Sequence, residues 1–546
     1  MIIQRSIIAL LLILLSTSAC KKYKEIPPLL LESAYSGPVS LLTPAPVTDV
    51  PFNQEFEITF SYPVDIKSVQ SGSIKLSSDE NQLPLTLRFE NGNRKIIIEP
   101  SENLIHYSKC RLDISSAVKG AENEKFDGFT ANFYTELDTI PKFPEIPDQE
   151  LLTLIQKQTF RYFWDFGHPT SGMARERNTS GDIVTSGGTG FGIMAIPVAV
   201  NRGFISREEG TARIEKIVDF LKNADRFHGA WSHWLNGSTG DAIPFSPKDN
   251  GGDLVETAFL IQGLLTVRQF LDPAKTAEVE IIDKINILWQ EVEWDWYTRN
   301  DEKKLYWHWS PEFNWEMNMP VQGYNEALII YVLAASSPTH PIDAEVYHQG
   351  WSRNGDMVNG QSYYNIVLPL GFEYGGPLFF AHYSFLGLDP RNLQDSYANY
   401  WEQNVHHSQI NHAYCKDNPL NYVGYSDIMW GLTASDNHNG YSAHSPTNDL
   451  GVITPTAAIS SLPYTPEYSM EAIRFFYYSL GEKLWGEYGF YDAINITEGW
   501  VANSYLAIDQ GPIIVMIENY RSGMLWELFM SCPEVPDGLK LLGFQF

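Results

Sequence analysis

Three carboxylic acids stand close together in the segment KDNGGDLVETAFLIQGLL, residues 248–265. Asp249, Asp253 and Glu256 lie four and three residues apart, and the apolar run that follows them has helical spacing. If a helix begins near Asp253, then Asp253 and Glu256 are neighbours on one face, with Cβ atoms about 5–6 Å apart. Acids this close repel each other, so one of them is expected to stay protonated near neutral pH. A proton donor beside an ionised acceptor is the pair that general acid–base catalysis needs.

A simpler interpretation of the same spacing is helix capping. An Asp at the N-cap with a Glu three residues later forms a capping box, which needs no catalytic role. Three features favour a catalytic role over capping alone: the third acid Asp249, the flexible pair Gly251 and Gly252, and the aromatic segment HGAWSHW just upstream. Both interpretations stay open at the level of sequence.

A fourth acid, Glu326, stands at the start of another predicted helix, in the segment QGYNEALII. There it could act in catalysis or only compensate the helix dipole. Aromatic and polar residues in the connections near these acids are predicted to bind a sugar, because flat apolar rings stack on sugar rings. The predicted substrate-binding residues are Trp231, His233, Trp234, Trp307, Trp309, Tyr324 and Asp509.

The composition narrows the possible partners. The formal net charge of −28 argues against nucleic acid, whose phosphates require a basic surface, and it also disfavours anionic polysaccharides. Aromatic residues make up 13% of the chain, which favours a carbohydrate-binding cleft and a neutral substrate. The chain has no C-x-x-C pair, no H-E-x-x-H and no P-loop, so we predict neither a metal site nor a cofactor.

The first 20 residues contain a short apolar run and end in Ala19-Cys20. The run is too short for a membrane span and fits an export signal. Its end resembles a bacterial lipoprotein signal with Cys20 as the lipid anchor, although Thr17 stands where that pattern usually has Leu; an ordinary cleaved signal is the alternative. We therefore expect an exported, monomeric lipoprotein of a bacterial cell envelope. Residues 21–38 would form a tether, and the lipid would make the only membrane contact.

The rest of the chain predicts a multidomain protein. Residues 39–138 carry short alternating segments such as EFEITFSYPV and FYTEL, which predict a small all-β sandwich and resemble bacterial Ig-like modules. A three-proline linker at 139–147 follows, and then ten or more helical segments over 148–546, among them residues 378–386 and 513–529. Their number and spacing predict an all-α (α/α)6 toroid, with a stacked α/α array as the alternative. In this region residues 185–196 are predicted to form a connection between helices, and its glycines are predicted to allow tight approach at a cavity rim.

Four segments of the helical region together resemble the glucoamylase-like domain of glycoside hydrolase family 144. They are GGDLVETAFLIQGLL, QGYNEALIIYVLA, GFYDAIN and AIDQGPIIVMIENYRSGMLW, and the resemblance covers residues 148–546. It implies an (α/α)6 barrel that hydrolyses a neutral β-1,2-glucan, by endo cleavage or by release of sophorose. It also implies that the catalytic acids are Asp249, Asp253, Glu256 and Glu326.

Glycosidases of this (α/α)6 type typically invert the anomeric configuration. Inversion requires two carboxyl groups about 6.5–9.5 Å apart, against about 5–5.5 Å for retention, and Asp253 and Glu256 are predicted to lie too close for inversion alone. We therefore hypothesise that Glu326 faces these two acids across the cleft, while Asp249 tunes their pKa values. Two alternatives remain: a glucoamylase-like hydrolase of α-glucan, and a non-catalytic surface lipoprotein that binds glycans.

Overall fold

The protein is described here by a computed structural model that covers residues 26–43, 46–79 and 81–546. The chain divides into two compact units, with the boundary between Leu137 and Asp138. The predicted lipid anchor, Cys20, lies outside the described residues. In the described part of the chain, no helix combines the length and the apolar character that crossing a bilayer requires.

The first unit is a sandwich of two five-stranded sheets. Its strands are β1 (Leu31–Ser36), β2 (Val39–Ser40), β3 (Val47–Val50), β4 (Phe56–Phe60), β5 (Ile74–Ser78), β6 (Asn81–Gln82), β7 (Leu85–Glu90), β8 (Lys95–Pro100), β9 (Lys109–Ile114) and β10 (Phe129–Thr135). One sheet has the order β2-β1-β4-β8-β7 and the other β3-β10-β9-β5-β6. Alternate residues of β4 face inward, and the ring of Phe56 meets that of Phe133 from the other sheet at 5.5 Å. This alternation is what a two-layer β-core requires.

Two segments that were predicted to connect the domains belong, in part or whole, to the folded units. The tether predicted for residues 21–38 is wrong for its second half, because β1 (Leu31–Ser36) pairs with β4 inside the sheet. The segment 139–147, predicted as a linker, is anchored on the second unit: the Lys142 N–H donates to the Tyr478 carbonyl at 2.7 Å, and the Phe143 ring stacks on Tyr477.

The second unit, residues 138–546, is mainly helical. Its α-helices are α1 (Asp148–Trp164), α2 (Ser186–Asn201), α3 (Arg207–Leu221), α4 (Leu254–Phe270), α5 (Thr276–Gln290), α6 (Leu328–Ser336), α7 (Tyr400–Asp417), α8 (Pro455–Ser460), α9 (Pro466–Arg474), α10 (Gly481–Leu484), α11 (Ala507–Ser522), α12 (Met524–Met530) and α13 (Glu534–Leu541). Short 3₁₀ and π turns and two-residue strand pairs connect them.

Wholly buried helices alternate along the chain with amphipathic ones. Nearly every residue of α2, α4, α6 and α11 is buried, which is typical of helices surrounded by protein. By contrast, α3 and α5 bury only one stripe each and pack against each other. Helix α2 packs between α4 and α11, and α4 also packs against α6. Small residues permit the close approach: a Cβ atom at Gly263 would lie 2.2 Å from the Gly190 carbonyl oxygen.

Three predicted local structures differ from the observed ones. The glycines of residues 185–196 do not form a loop at a cavity rim; from Ser186 onward they are the buried first turns of α2, where missing side chains hid the helical pattern. Residues 378–386, predicted as a helix, form two 3₁₀ turns, Leu378–Ala381 and Ser384–Leu386. The helix predicted for residues 513–529 begins earlier, at Ala507, and is divided at Gly523, whose φ of +73° ends α11.

Candidate active site

The N-terminal ends of α2, α4 and α11 meet at one place in the helical unit. The backbone N–H of Gly187, in the first turn of α2, donates to Oε2 of Glu256 in the first turn of α4, at 2.9 Å. On the other side of α2, a Cβ atom at Gly188 would lie 2.6 Å from the Cβ of Ala507, the first residue of α11. Because helix N-termini carry partial positive charge, this meeting point favours acidic side chains.

Asp253 caps helix α4 and also takes part in the site. Its Oδ1 accepts the backbone N–H of Glu256 at 2.9 Å, as an N-cap does. Its Oδ2 is bonded to His233 Nδ1 and to Trp307 Nε1, both at 3.2 Å. Asp253 therefore caps the helix, but the predicted capping box is only half formed, because the Glu256 carboxylate is bonded to Gly187 and Thr185 instead.

Glu256 directs its carboxylate toward the start of α2. Besides the Gly187 N–H, its Oε2 accepts the Thr185 hydroxyl at 3.4 Å. Burial raises the pKa of Glu256 above its ordinary value; the charge of His233 opposes this rise and that of Asp253 adds to it. Glu256 is thus an acid whose proton affinity is set by its neighbours.

His233 supplies a cation beside the two acids. Burial alone would lower the pKa of His233, but the charge of Glu256, together with the hydrogen bond and charge of Asp253 and the charge of Asp249, outweighs burial and raises this pKa to about 9. The imidazole also stacks on the ring of Phe245 at 4.2 Å. At neutral pH His233 is therefore protonated and balances part of the negative charge.

Glu326 lies just before α6 and is 8% exposed. Burial raises the pKa of Glu326 to about 7, and the charges of Glu256 and Asp253 act in the same direction. The Ser384 hydroxyl donates to the main-chain carbonyl of Glu326 and holds this segment in place. Glu326 is therefore an acid of the same site with a pKa matched to proton donation near neutrality.

Asp249 interacts with a different histidine. Its Oδ1 lies 3.1 Å from Nε2 of His308, although the two atoms lack hydrogen-bonding geometry. Its charge still contributes to the raised pKa of His233, so Asp249 acts on the site through His233.

A second acid group, which we define as Asp436, Asp492 and Asp509, lies at the start of α11. Asp492 and Asp509 are both buried, and their carboxyl groups interact electrostatically. Asp492 Oδ2 accepts the Asp436 N–H at 2.7 Å, and Arg177 pairs with the Asp436 carboxylate at 3.0 Å. Burial raises the pKa of Asp492 to about 7, and the charge of Asp436 adds to this rise. Burial also raises the pKa of Asp509 well above its ordinary value, and the charges of Asp492 and Asp436 add to that rise.

The predicted substrate-binding aromatics divide into three groups. Trp307 is half-buried and is bonded to Asp253, while the Trp234 ring contacts His233 and Phe245 at 6.0 and 4.8 Å. Trp309 pairs through its backbone with Gly252, next to Asp253, but its ring packs in an aromatic cluster with His228 and Trp296.

Trp231 and Tyr324 require a correction. Trp231 is fully buried, and its Nε1 donates to the Leu221 carbonyl at 3.2 Å. Tyr324 is 1% exposed, and its hydroxyl donates to Asn404 Oδ1 at 2.9 Å. Because the polar atoms of both side chains are already bonded inside the core, we assign them to packing instead of substrate contact.

Several site residues were not predicted from the sequence. Thr185 and Gly187 were assigned to a connection between helices. Asp492 was not named as a site residue, although its segment, GFYDAIN, carries part of the family resemblance. His308 follows Trp307 in a short strand that pairs with Gly252–Asp253. In the described ranges, no group of three or more His, Cys, Asp or Glu side chains is arranged to hold a metal ion.

Both units match models of known protein families. Residues 318–533 match the Glycoamylase family model, described as "Putative glucoamylase", and residues 38–135 match the bacterial Ig-like domain model. The chain is 46% identical, over 78% of its length, to an exo-β-1,2-glucooligosaccharide sophorohydrolase (non-reducing end) of Parabacteroides distasonis, and it spans 61% of that relative's length.

Solved structures agree with this assignment. An endo-β-1,2-glucanase from Chitinophaga pinensis, in complex with sophorotriose and glucose, matches 74% of this chain and 99% of its own with 55% identity and a TM-score of 0.72. A β-1,2-glucanase from Parabacteroides distasonis matches 95% of this chain and 74% of its own with 37% identity and a TM-score of 0.72. The chain therefore belongs to the glucoamylase-like family of glycoside hydrolases that includes these β-1,2-glucanases, family 144, and carries a bacterial Ig-like domain before its helical unit.

Proposed function

We propose that this protein hydrolyses the β-1,2-glycosidic bonds of a neutral glucan polysaccharide or oligosaccharide with inversion of configuration. The observation that carries the proposal is the shared acidic site, in which Glu326, with a pKa of about 7, lies within electrostatic reach of Glu256 and Asp253. Relatives that are 46% and 55% identical bear the names of enzymes acting on β-1,2-linked glucan. As part of the proposal, the alternating buried and amphipathic helices form an (α/α)6 toroid around this site.

The roles of the acids follow from their surroundings. Glu326 donates its proton to the glycosidic oxygen as the bond between that oxygen and the anomeric carbon breaks. Glu256 accepts a proton from the water whose oxygen forms the new bond to the anomeric carbon. The Gly187 N–H and the His233 cation stabilise Glu256 in the ionised form that this role requires. Asp253 orients His233, and Asp249 adds negative charge that keeps it protonated.

Parallel incubation with β-1,2-glucan, starch and β-1,3-glucan, followed by separation of the products by size, tests the substrate. We expect products from β-1,2-glucan only. Release of glucose from starch would favour the α-glucan alternative, and tight glucan binding without new reducing ends would favour the non-catalytic glycan-binding lipoprotein. The same chromatogram distinguishes endo cleavage, which gives a ladder, from exo release of sophorose.

We further propose that the protein is an exported, monomeric lipoprotein attached to a bacterial cell envelope through Cys20. The sequence ending in Ala19-Cys20 supports this location. Metabolic labelling with a radioactive fatty acid is expected to label the wild-type protein, while a Cys20→Ala variant should remain unlabelled. Equal labelling of the two proteins would refute the anchor.

The pH dependence of hydrolysis is expected to show a decline on the alkaline side. Glu326 must be protonated to act as the acid, so its contribution is present below its pKa of about 7 and is lost as the pH rises through that value. Well above this pH, kcat/KM should fall about tenfold per pH unit. Initial rates measured across the pH range, with the melting temperature recorded at each pH, check this. A rate that stays level or rises above neutral pH would contradict the assignment.

The Gly187→Ala substitution should impair the site while leaving most of the fold intact. A Cβ atom there would lie 2.4 Å from Glu256 Oε2 and 3.1 Å from the Phe259 ring, so the carboxylate must move. Because small displacements of catalytic groups can cost about 10²-fold, we expect a loss of about 10–100-fold in kcat/KM. Kinetics and thermal melting of the purified variant measure the two effects separately. Unchanged activity would mean that the position of Glu256 is not critical.

A further inference from the structure

Tyr383 is a buried tyrosine at the centre of the helical unit. Its side chain is 3% exposed, and its hydroxyl has no hydrogen-bond partner in the described part of the chain. Buried polar groups in proteins are almost always hydrogen-bonded, so an unpaired buried hydroxyl calls for an explanation. A bound ligand is one such explanation where the hydroxyl borders a functional site.

Three phenylalanines fix the ring of Tyr383, and two of them belong to the site's own helices. It stacks on Phe379 at 5.0 Å and contacts Phe191 of α2 and Phe259 of α4 at 5.2 and 5.6 Å. Phe259 follows Glu256 by three residues, so it lies on the same face of α4. Tyr383 therefore rests directly against the helix that carries Glu256.

The chain around Tyr383 also contacts the segment of Glu326. The hydroxyl of the next residue, Ser384, donates to the main-chain carbonyl of Glu326 and accepts the Ile329 N–H at 3.0 Å. Helix α11 packs closely against Phe191, whose ring contacts that of Tyr383. A Cβ atom at Gly511 of α11 would lie 2.4 Å from the Cβ of Phe191. Tyr383 thus stands where the segments of Glu256, Glu326 and Asp509 come together.

Three carboxylic acids act on the hydroxyl through their charges. Burial raises the pKa of Tyr383 well above its ordinary value, and the charges of Asp509, Tyr441, Glu326 and Glu256 act in the same direction. The hydroxyl is therefore a neutral donor at every pH at which the protein would work. None of these acids accepts a hydrogen bond from it in the described structure.

The second acid group leaves further polar atoms available. Asp492 Oδ1 and Asp509 Oδ2 are buried and have no hydrogen-bond partner in the described structure. Because the charge of Asp492 raises the pKa of Asp509, ionising both acids together is unfavourable. The charge of Arg177 lowers both pKa values but does not outweigh burial, because its guanidinium is also bonded to Glu176 and Asp436.

We propose that the Tyr383 hydroxyl donates a hydrogen bond to a hydroxyl group of a glucose unit bound between the Glu256–Glu326 pair and the second acid group. A sugar hydroxyl matches this position because it accepts from Tyr383 and donates to a neighbouring carboxylate at the same time. An anionic ligand would be repelled by the surrounding acids. The inference rests on the proposed hydrolysis of a glucan and names a further substrate-contacting residue for it.

The Tyr383→Phe substitution tests this contact, because it removes the hydroxyl and keeps the ring that packs on Phe191, Phe259 and Phe379. A matched control is Tyr505→Phe, since Tyr505 is equally buried, also has an unpaired hydroxyl, and packs against Tyr488 and Tyr491. Binding of a β-1,2-linked gluco-oligosaccharide of defined length is measured by calorimetry on the Glu326→Gln background. The kcat/KM of each single variant is measured with the wild-type protein in the same assay.

We expect Tyr383→Phe to weaken binding about tenfold and to lower kcat/KM at least as much, with an unchanged or higher melting temperature. Tyr505→Phe should leave binding and kcat/KM unchanged. Binding and kcat/KM of Tyr383→Phe within twofold of the unsubstituted protein would overturn the inference while leaving the proposed function standing. A folded wild-type protein that neither binds nor cleaves the oligosaccharide would instead overturn the proposed function itself.

Discussion

Replacing Glu326 by Gln is expected to lower kcat/KM on β-1,2-glucan by about 10²–10⁴-fold, the contribution typical of a positioned acid or base. The substitution keeps the shape of the side chain and removes the proton that Glu326, with its pKa of about 7, would give to the leaving oxygen. The melting temperature should change little, because Glu326 makes no ion pair that the fold depends on in the described structure and its segment is held through its main chain by Ser384.

An exposed glutamate near the same helix provides the control. Glu345 is 67% exposed in its side chain, so Glu345→Gln should leave both activity and stability unchanged. Full activity in the Glu326→Gln protein would remove Glu326 from the mechanism. Restoration of activity by an external acid such as formate, in that variant only, would support its role as proton donor.

Replacing Glu256 by Gln should reduce kcat/KM by a similar factor, about 10²–10⁴-fold. The amide oxygen of Gln can still accept the Gly187 N–H, so the local geometry is kept while the negative charge is lost. A second effect distinguishes loss of charge from simple misfolding. The charge of Glu256 is the largest of the contributions that raise the pKa of His233 to about 9, so the imidazole of the variant should titrate at lower pH, which NMR of the histidine ring measures.

A buried glutamate outside the site is the matched control for Glu256. Glu278 is bonded to Arg207 at 2.7 Å, and this hydrogen bond lowers the pKa of Glu278 to about 2. Glu278→Gln should therefore cost about 1.5–3 kcal/mol of folding stability and leave kcat/KM of the folded protein unchanged. If Glu256→Gln behaved like Glu278→Gln, losing stability but keeping activity, Glu256 would be a structural residue.

The segment around Asp253 shows which features of the site can be predicted from local sequence. An Asp before an apolar helical run and a Glu three residues later predicted both the N-cap and the nearness of the two acids, because both follow from helical geometry. The sequence could not show that Glu256 would bond to Gly187 across an interhelical contact. That contact depends on glycines whose lack of side chains also concealed the start of α2.

Side-chain direction was the second limit. Trp231 and His233 stand two residues apart in one aromatic segment, yet Trp231 points into the core and His233 into the site. Tyr383 and Asp492 were not predicted because each becomes part of the site only through tertiary contacts with distant helices. Similarly, alternation along residues 31–36 was too short to distinguish a strand from a tether before its partner strands were known.

The most direct test of the proposed chemistry is the anomeric form of the first products. Purified wild-type protein is mixed with β-1,2-glucan, and proton NMR spectra are recorded before mutarotation is complete. We predict new reducing ends that arise first as the α-anomer, with none produced by Glu326→Gln under the same conditions. A folded wild-type protein that leaves β-1,2-glucan intact, or a Glu326→Gln variant that cleaves it as fast as the wild type, would contradict hydrolysis at this site.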